Sequence, residues 1–267
     1  MITSGLIDVL DQEGIDNTLE RVNLLKEWWI PRGIYSGSSK GFAPSQDNPV
    51  DFYTIGAASY IDDSMIYDML CEDNVDMMDE WFEWIYMCVV YALYQEGLHC
   101  EITKSLARPG FHVFAVPPGE KPKNKTKEYL EDLSATIHFD EQQYAHKGYW
   151  AELQGSEGAK IDLENCLSFT LCIAAPKHGA GLSTWGEESL KCYEIDNEYT
   201  KYVKSKGGYA QHGPPDVVIP YTPGKMFYFI GPLQHQMSPG MNISADDARI
   251  TLQGHGVKVN GIWELYF

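Results

Sequence analysis

CLSFTLCIAA (166–175) is a run of small or apolar side chains with no charge, and GLSTW (181–185) follows it after a break containing Pro176 and Gly179. Runs of this length, rich in β-branched and aromatic residues and divided by Gly, Pro and polar segments, read as strands. Working outward, the texture recurs in FHVFAVP (111–117), SATIHFD (134–140), DVVIPY (216–221), KMFYFI (225–230) and ARITLQGHGV (248–257). Short strands in this succession predict an antiparallel barrel or sandwich from about residue 110 onward.

Upstream the pattern changes. LERVNLLKEWWI (19–30) sets Leu19, Val22, Leu25 and Trp29 on one helical face, ahead of Pro31 and Gly33. WFEWIYMCVVYALY (81–94) contains Glu83, is too short to span a bilayer, and reads as a buried helix. Residues 62–83 hold nine acids and no Lys or Arg, the composition of a solvated helix face. The expectation is an α+β chain in which a mainly helical part, residues 1–104, buttresses a β-rich part, residues 105–267, within one compact unit. PPGEKPKNKTKEYLEDL (117–133), with lysines at 121, 123, 125 and 127, is expected as an exposed loop, with a mobile lid as the alternative.

The chain has 267 residues, 44% of them hydrophobic, enough for a substantial core. Thirty-eight acidic against 20 basic residues give a net charge of −18. That sign disfavours nucleic acid and anionic membrane surfaces as partners. MITSGLIDVLDQEG (1–14) has no basic segment followed by an apolar run, so no signal peptide is expected. Six cysteines, at 71, 88, 100, 166, 172 and 192, form no CxxC motif and are expected as reduced thiols in a cytoplasm. Nothing in the pattern encodes an oligomeric state.

The chemistry turns on SATIHFD. Along a strand side chains alternate, so Thr136, His138 and Asp140 share one face and Ile137 and Phe139 the other. An imidazole and a carboxylate so placed can bind one metal ion, or simply bond to each other. A third donor is offered by His235 in GPLQHQMSPG, just after KMFYFI. Two His and one carboxylate on one face of an octahedral Fe(II) leave three positions open. Arg249 comes fourteen residues after His235 and shares a strand face with Thr251 and Gln253. A 2-oxo diacid chelating iron through its keto acid end presents a distal carboxylate, which a guanidinium can receive bidentately with help from the Thr251 hydroxyl. Pairing of Arg249 with Asp246 or Asp247 is the plain alternative. His212 and His255 fit this arrangement less well and are expected as surface or strand-end histidines.

HFD (138–140), the distant His235 and Arg249 together resemble the HxD…H…R signature of the Fe(II)/2-oxoglutarate-dependent oxygenases, including small bacterial and phytanoyl-CoA-dioxygenase-like members. RPGFHVF (108–114), ENCLSFTLCIAAP (164–176), GAGLSTW (179–185) and PGKMFYFIGPLQHQ (223–236) are similar to successive strands of that superfamily's double-stranded β-helix, a jelly-roll or cupin-like core. The resemblance covers roughly residues 105–267. It implies that His138, Asp140 and His235 hold Fe(II), that Arg249 and Thr251 anchor 2-oxoglutarate, and that O2 is consumed with release of succinate and CO2. A carboxylate at residue 140, where related halogenases carry a small residue, implies hydroxylation or N-dealkylation.

Residues near the metal strands offer a substrate pocket: Gln142, Gln143, Tyr144, Trp185, Tyr228 and Arg108. Rings and amides suit a polar small molecule, such as an amino-acid-derived metabolite. Two other classes stay open. A cupin-like metal hydrolase or isomerase would share the ligands without needing Arg249, and a β-sandwich binding module would need neither.

Overall fold

The computed structural model describes residues 2–32, 50–59, 61–62, 64–131, 137–156, 158–206, 212–244 and 246–267, with the side chain of Gln142 outside that set. In chain order the elements begin with β1 (Thr3–Asp8), α1 (Gln12–Leu24), β2 (Ile30–Pro31), β3 (Tyr53–Ile55), α2 (Ser64–Gln95), β4 (Cys100–Ile102) and β5 (Gly110–Phe114). They continue with α3 (Thr126–Glu131), α4 (Lys147–Ser156), β6 (Ile161–Ala174), β7 (Gly181–Trp185), α5 (Glu198–Lys206), β8 (Val217–Pro220) and β9 (Lys225–Ile230). The chain finishes with β10 (Gln234–Ser238), β11 (Arg249–Val259) and β12 (Ile262–Tyr266).

Two sheets form the core. The larger runs β1-β9-β6-β11-β5-β3-β2, with β12 attached to β11 and β4 to β12, and the smaller runs β10-β7-β8. Residue 138 bridges His235 and so extends the small sheet beyond β10. From β5 onward the chain therefore visits the two sheets in turn: β5 large, residue 138 small, β6 large, β7 and β8 small, β9 large, β10 small, β11 large. That alternation winds a jelly roll, the double-stranded β-helix. Leu182, Val217 and Ile219 of the small sheet pack on Phe227 and Phe229 of the large one.

Strand alternation gives the large sheet two different faces. Leu167, Phe169, Leu171 and Ile173 of β6, Met226 and Tyr228 of β9, and Ile250 and Leu252 of β11 face outward. There they meet Val22 of α1 and Phe82, Ile85, Val89 and Leu93 of α2 in one buried cluster. The intervening residues, including Ser168, Phe227, Phe229, Arg249 and Thr251, face the small sheet. The acidic stretch 62–83 falls largely within α2, which buries an i, i+3/i+4 stripe and leaves Met87, Tyr91 and Tyr94 exposed.

The expectation of a helical N-terminal part is not met. β1 pairs along its whole length with β9, Thr3 opposite Ile230 and Asp8 opposite Lys225, and β2, β3 and β4 also join the large sheet. The helix read at 19–30 starts earlier, behind an Asp11 cap that accepts from Gly14 N, and ends at Leu24. Trp29 lies beyond it, after a 3-10 turn. Of SATIHFD, residues 134–136 lie outside the described set, as does Gly33. The lysine-rich segment is tied down. The buried Asp51 carboxylate accepts from Lys123 N (2.9 Å) and Thr126 Oγ1 (2.8 Å), and Lys123 Nζ bonds Tyr53 Oη (2.7 Å). Among the described residues no helix is long and apolar enough to cross a membrane.

Candidate metal centre

The bridge that joins residue 138 to β10 also assembles the site. His138 N donates to His235 O (3.0 Å) and His235 N to His138 O (2.9 Å). Directly opposed residues of an antiparallel pair point to the same side, and the two imidazoles stand 4.4 Å apart, centroid to centroid. Asp140, two residues on, returns to that side. Its Oδ1 lies 3.6 Å from Nε2 of both His138 and His235. The three donor atoms all fall within 4.8 Å of one another. Donors ~2.1 Å from one octahedral ion sit about 3 Å apart when adjacent, so the three must draw in to complete a facial set.

The electrostatics suit a cation. His235 Nδ1 is 2.9 Å from Leu233 O. A carbonyl only accepts, so Nδ1 carries the proton and Nε2 keeps its lone pair toward Asp140. Burial pushes the His235 pKa down to about 4, against the pull of Asp140. Burial alone would raise the Asp140 carboxyl, but His235, His255 and His138 around it and a bond from Ser168 bring it down to about 2. An ionised carboxylate beside a neutral imidazole is the state in which a divalent metal binds.

Arg249, the first residue of β11, is buried on the same inner face. Its guanidinium lies 5.3 Å from the Phe114 ring and 5.2 Å from the Tyr221 ring, touches Met237 Sδ, and leaves Nε without a partner. Asp247, a rival partner on sequence grounds, instead accepts from Ser244 N (2.8 Å) and Lys177 N (3.2 Å). Among the described residues Arg249 has no ion pair. A buried cation held between rings without a carboxylate is a built receptor for an anionic ligand. Thr251, two residues on and fully buried, accepts a bond from Gln253 Nε2 (3.0 Å).

The other sequence candidates scatter. Tyr228 faces outward among the helix-packing residues, with its hydroxyl bonded to Glu96 Oε2 (3.2 Å), because KMFYFI alternates and Phe227 and Phe229 take the inner face. Arg108 is held bidentately by Asp79 of α2 (2.7 and 2.8 Å) and also bonds Thr103 O. These two are corrections to the substrate set. Tyr144 is exposed, with Lys147 Nζ 5.0 Å from its ring centre. Trp185, the last residue of β7, stands opposite Gln234 while Thr184 stands opposite His235, so it is buried on the face turned away from His235, and its Nε1 donates to Gly213 O (3.3 Å). The backbone of Gln142 sits in a 3-10 turn (142–144).

His255 corrects the sequence reading in the other direction. It is buried on the inner face, its Nδ1 3.9 Å from Asp140 Oδ2 and 3.2 Å from Ser168 Oγ. Parity was the available signal: His255 falls in the same alternating set as Arg249, Thr251 and Gln253.

No family model matches the chain, and no curated protein matches it in sequence. Among solved structures, a novel N-substituted L-amino acid dioxygenase from Burkholderia ambifaria AMMD aligns with a TM-score of 0.48 at 10% identity, over 99% of this chain and 86% of that one. The non-heme alpha ketoglutarate dependent epimerase SnoN from nogalamycin biosynthesis aligns at 0.40 and 11%, over 95% and 76%. The carbocyclase SnoK from the same biosynthesis aligns at 0.38 and 12%, over 98% and 79%. In its own strand order, its HxD…H…R motif and the convergence of His138, Asp140 and His235 on one inner wall with Arg249, this chain resembles the Fe(II)/2-oxoglutarate-dependent oxygenases.

Proposed function

We propose that this protein is an Fe(II)/2-oxoglutarate-dependent oxygenase that oxidises a polar small molecule, with release of succinate and CO2. The observation that carries the proposal is the pairing of a His-His-Asp donor set with a buried Arg249 that has no ion pair among the described residues, on the same inner face. A metal hydrolase or isomerase has use for the donors and none for such an arginine. Bound iron and 2-oxoglutarate would supply an O2-driven oxidation of a substrate C–H bond, coupled to decarboxylation of the cosubstrate.

The chain's own residues have separable tasks. His138, Asp140 and His235 would hold the metal. The Leu233 carbonyl fixes the His235 tautomer, and Ser168 and His255 orient Asp140 from behind. Arg249 would receive the distal carboxylate of 2-oxoglutarate, with the Thr251 hydroxyl beside it. Phe114, Tyr221, Phe227 and Phe229 make that wall apolar, which excludes water from the reacting groups. Asp140 keeps the carboxylate that a halide site would lack, so hydroxylation or N-dealkylation is the reaction proposed. The partner is a small molecule rather than nucleic acid or a membrane. The six free thiols fit a reducing cytoplasm.

The test is anaerobic addition of Fe(II) and 2-oxoglutarate, read as the weak visible charge-transfer absorption expected of their chelate. Succinate release is then followed over a panel of polar metabolites in air. Absence of both the absorption and any 2-oxoglutarate consumption overturns the proposal.

A further inference from the structure

Next to Asp140, on the side of His255, lies a group of rings whose polar atoms are unsatisfied. Tyr266 of β12 is the direct cross-strand partner of His255, and their rings are 6.1 Å apart. His146 and Trp150 are one helical turn apart, with Trp150 N donating to His146 O (3.1 Å), so both project from one face. Their rings stand 5.5 and 5.9 Å from that of Tyr266. Gln143, in the turn ahead of α4, is buried and donates its Nε2 to Leu163 O (3.4 Å). Among the described residues, four atoms of this group have no hydrogen-bond partner: Tyr266 Oη, Trp150 Nε1, His146 Nε2 and Gln143 Oε1. Tyr266, Trp150 and Gln143 are 0%, 1% and 4% exposed. Natural chains rarely leave buried polar atoms unpaired, and a cluster of four in one place points to something that completes them.

We propose that Tyr266, Trp150, His146 and Gln143 form the substrate-recognition part of the site, and that they take an uncharged amide-bearing group of the substrate. The indole N–H can only donate, the phenol donates readily, and the Gln143 oxygen can only accept. A carbonyl oxygen with a neighbouring N–H meets that complement, and a planar amide fits among aromatic rings. None of the four side chains is charged. Burial holds the Tyr266 phenol protonated, well above its ordinary value, and pushes the His146 pKa down to about 4. A carboxylate would lose its water here without gaining a counter-ion, and would also meet the ionised Asp140 next door. That this amide belongs to a substrate rests on the oxygenase reading; that the cluster binds one does not.

The experiment uses metal-free, 15N-labelled full-length protein, with the Trp150 indole resonance identified by its loss in Trp150→Phe. Benzamide is the probe, and benzoate is its charged counterpart. Benzamide is expected to move the Trp150 indole resonance, and benzoate to leave it in place. Tyr266→Phe is expected to weaken benzamide binding about three- to tenfold, one hydrogen bond's worth. It is also expected to leave the thermal midpoint unchanged or raised, because the oxygen removed had no partner to lose. No shift with benzamide, equal shifts with both probes, or a clear fall in the Tyr266→Phe midpoint would each overturn the proposal. Neither iron nor 2-oxoglutarate enters the experiment, so its failure and that of the oxygenase reading are told apart.

Discussion

Arg249 and His235 share an inner wall and are expected to fail in different ways. Arg249→Lys keeps a charge but loses the planar fork and the contact with Phe114 and Tyr221. Apparent 2-oxoglutarate affinity should fall about tenfold to a hundredfold, since ~1.4 kcal/mol is one decade, while Fe(II) affinity holds. A titration of the chelate absorption under nitrogen reads both quantities, and an unaltered 2-oxoglutarate curve would remove Arg249 from the site. His235→Ala should instead abolish iron-dependent turnover and leave far-UV circular dichroism intact, because two protein donors hold an open octahedral ion poorly. Residual turnover near the wild-type rate would show that another donor, with His255 the nearest, had replaced it. Single residues were unevenly legible in the sequence. His138 and Asp140 became legible only in company with His235 and Arg249, since a spacing of two alone fits a pair that merely bond to each other. Arg108 did not, since its part is set by Asp79, a residue on another element.

Between elements, close approach decides more than side-chain chemistry. Gly181 heads β7, and a Cβ there would run into the carbonyl oxygen of Ile219 on β8. That obstacle is backbone, so it cannot rotate away. Gly181→Ala is expected to lower stability by roughly 1–3 kcal/mol. Because β7 also pairs with β10, metal affinity should decline alongside. Denaturant unfolding beside an iron titration checks this, and a variant unchanged in both would mean that the small sheet adjusts freely. The strands from residue 110 onward were readable because β-branched and aromatic runs broken by Gly and Pro carry their own signal. TSGLID (3–8) was not: it has one β-branched aliphatic residue and a glycine, and becomes a strand through its pairing with β9. KMFYFI announced a strand but hid its orientation, since both of its faces are apolar. Only the packing of α1 and α2 shows that Tyr228 is turned away from the metal.

At the level of the whole molecule, charge and topology set the conditions. A net charge of −18 repels itself in the compact state. Raising monovalent salt from ~10 mM to ~150 mM shortens the screening length from about 30 Å to about 8 Å. The thermal midpoint of the metal-free protein should therefore rise over that range, and a flat or falling midpoint would show that specific ion pairs outweigh the general repulsion. The order β1-β9-β6-β11 has a further consequence, and it concerns synthesis. Thr3 must find Ile230, and at ~5–20 residues per second a ribosome needs roughly 10–45 s to make the chain between them. For that interval β1 has no β9 to dock on and stays open to any other unpaired edge it meets. Closure of the large sheet is thus a late, long-range event, and the translating cell has to keep this chain apart from its copies until β9 has emerged.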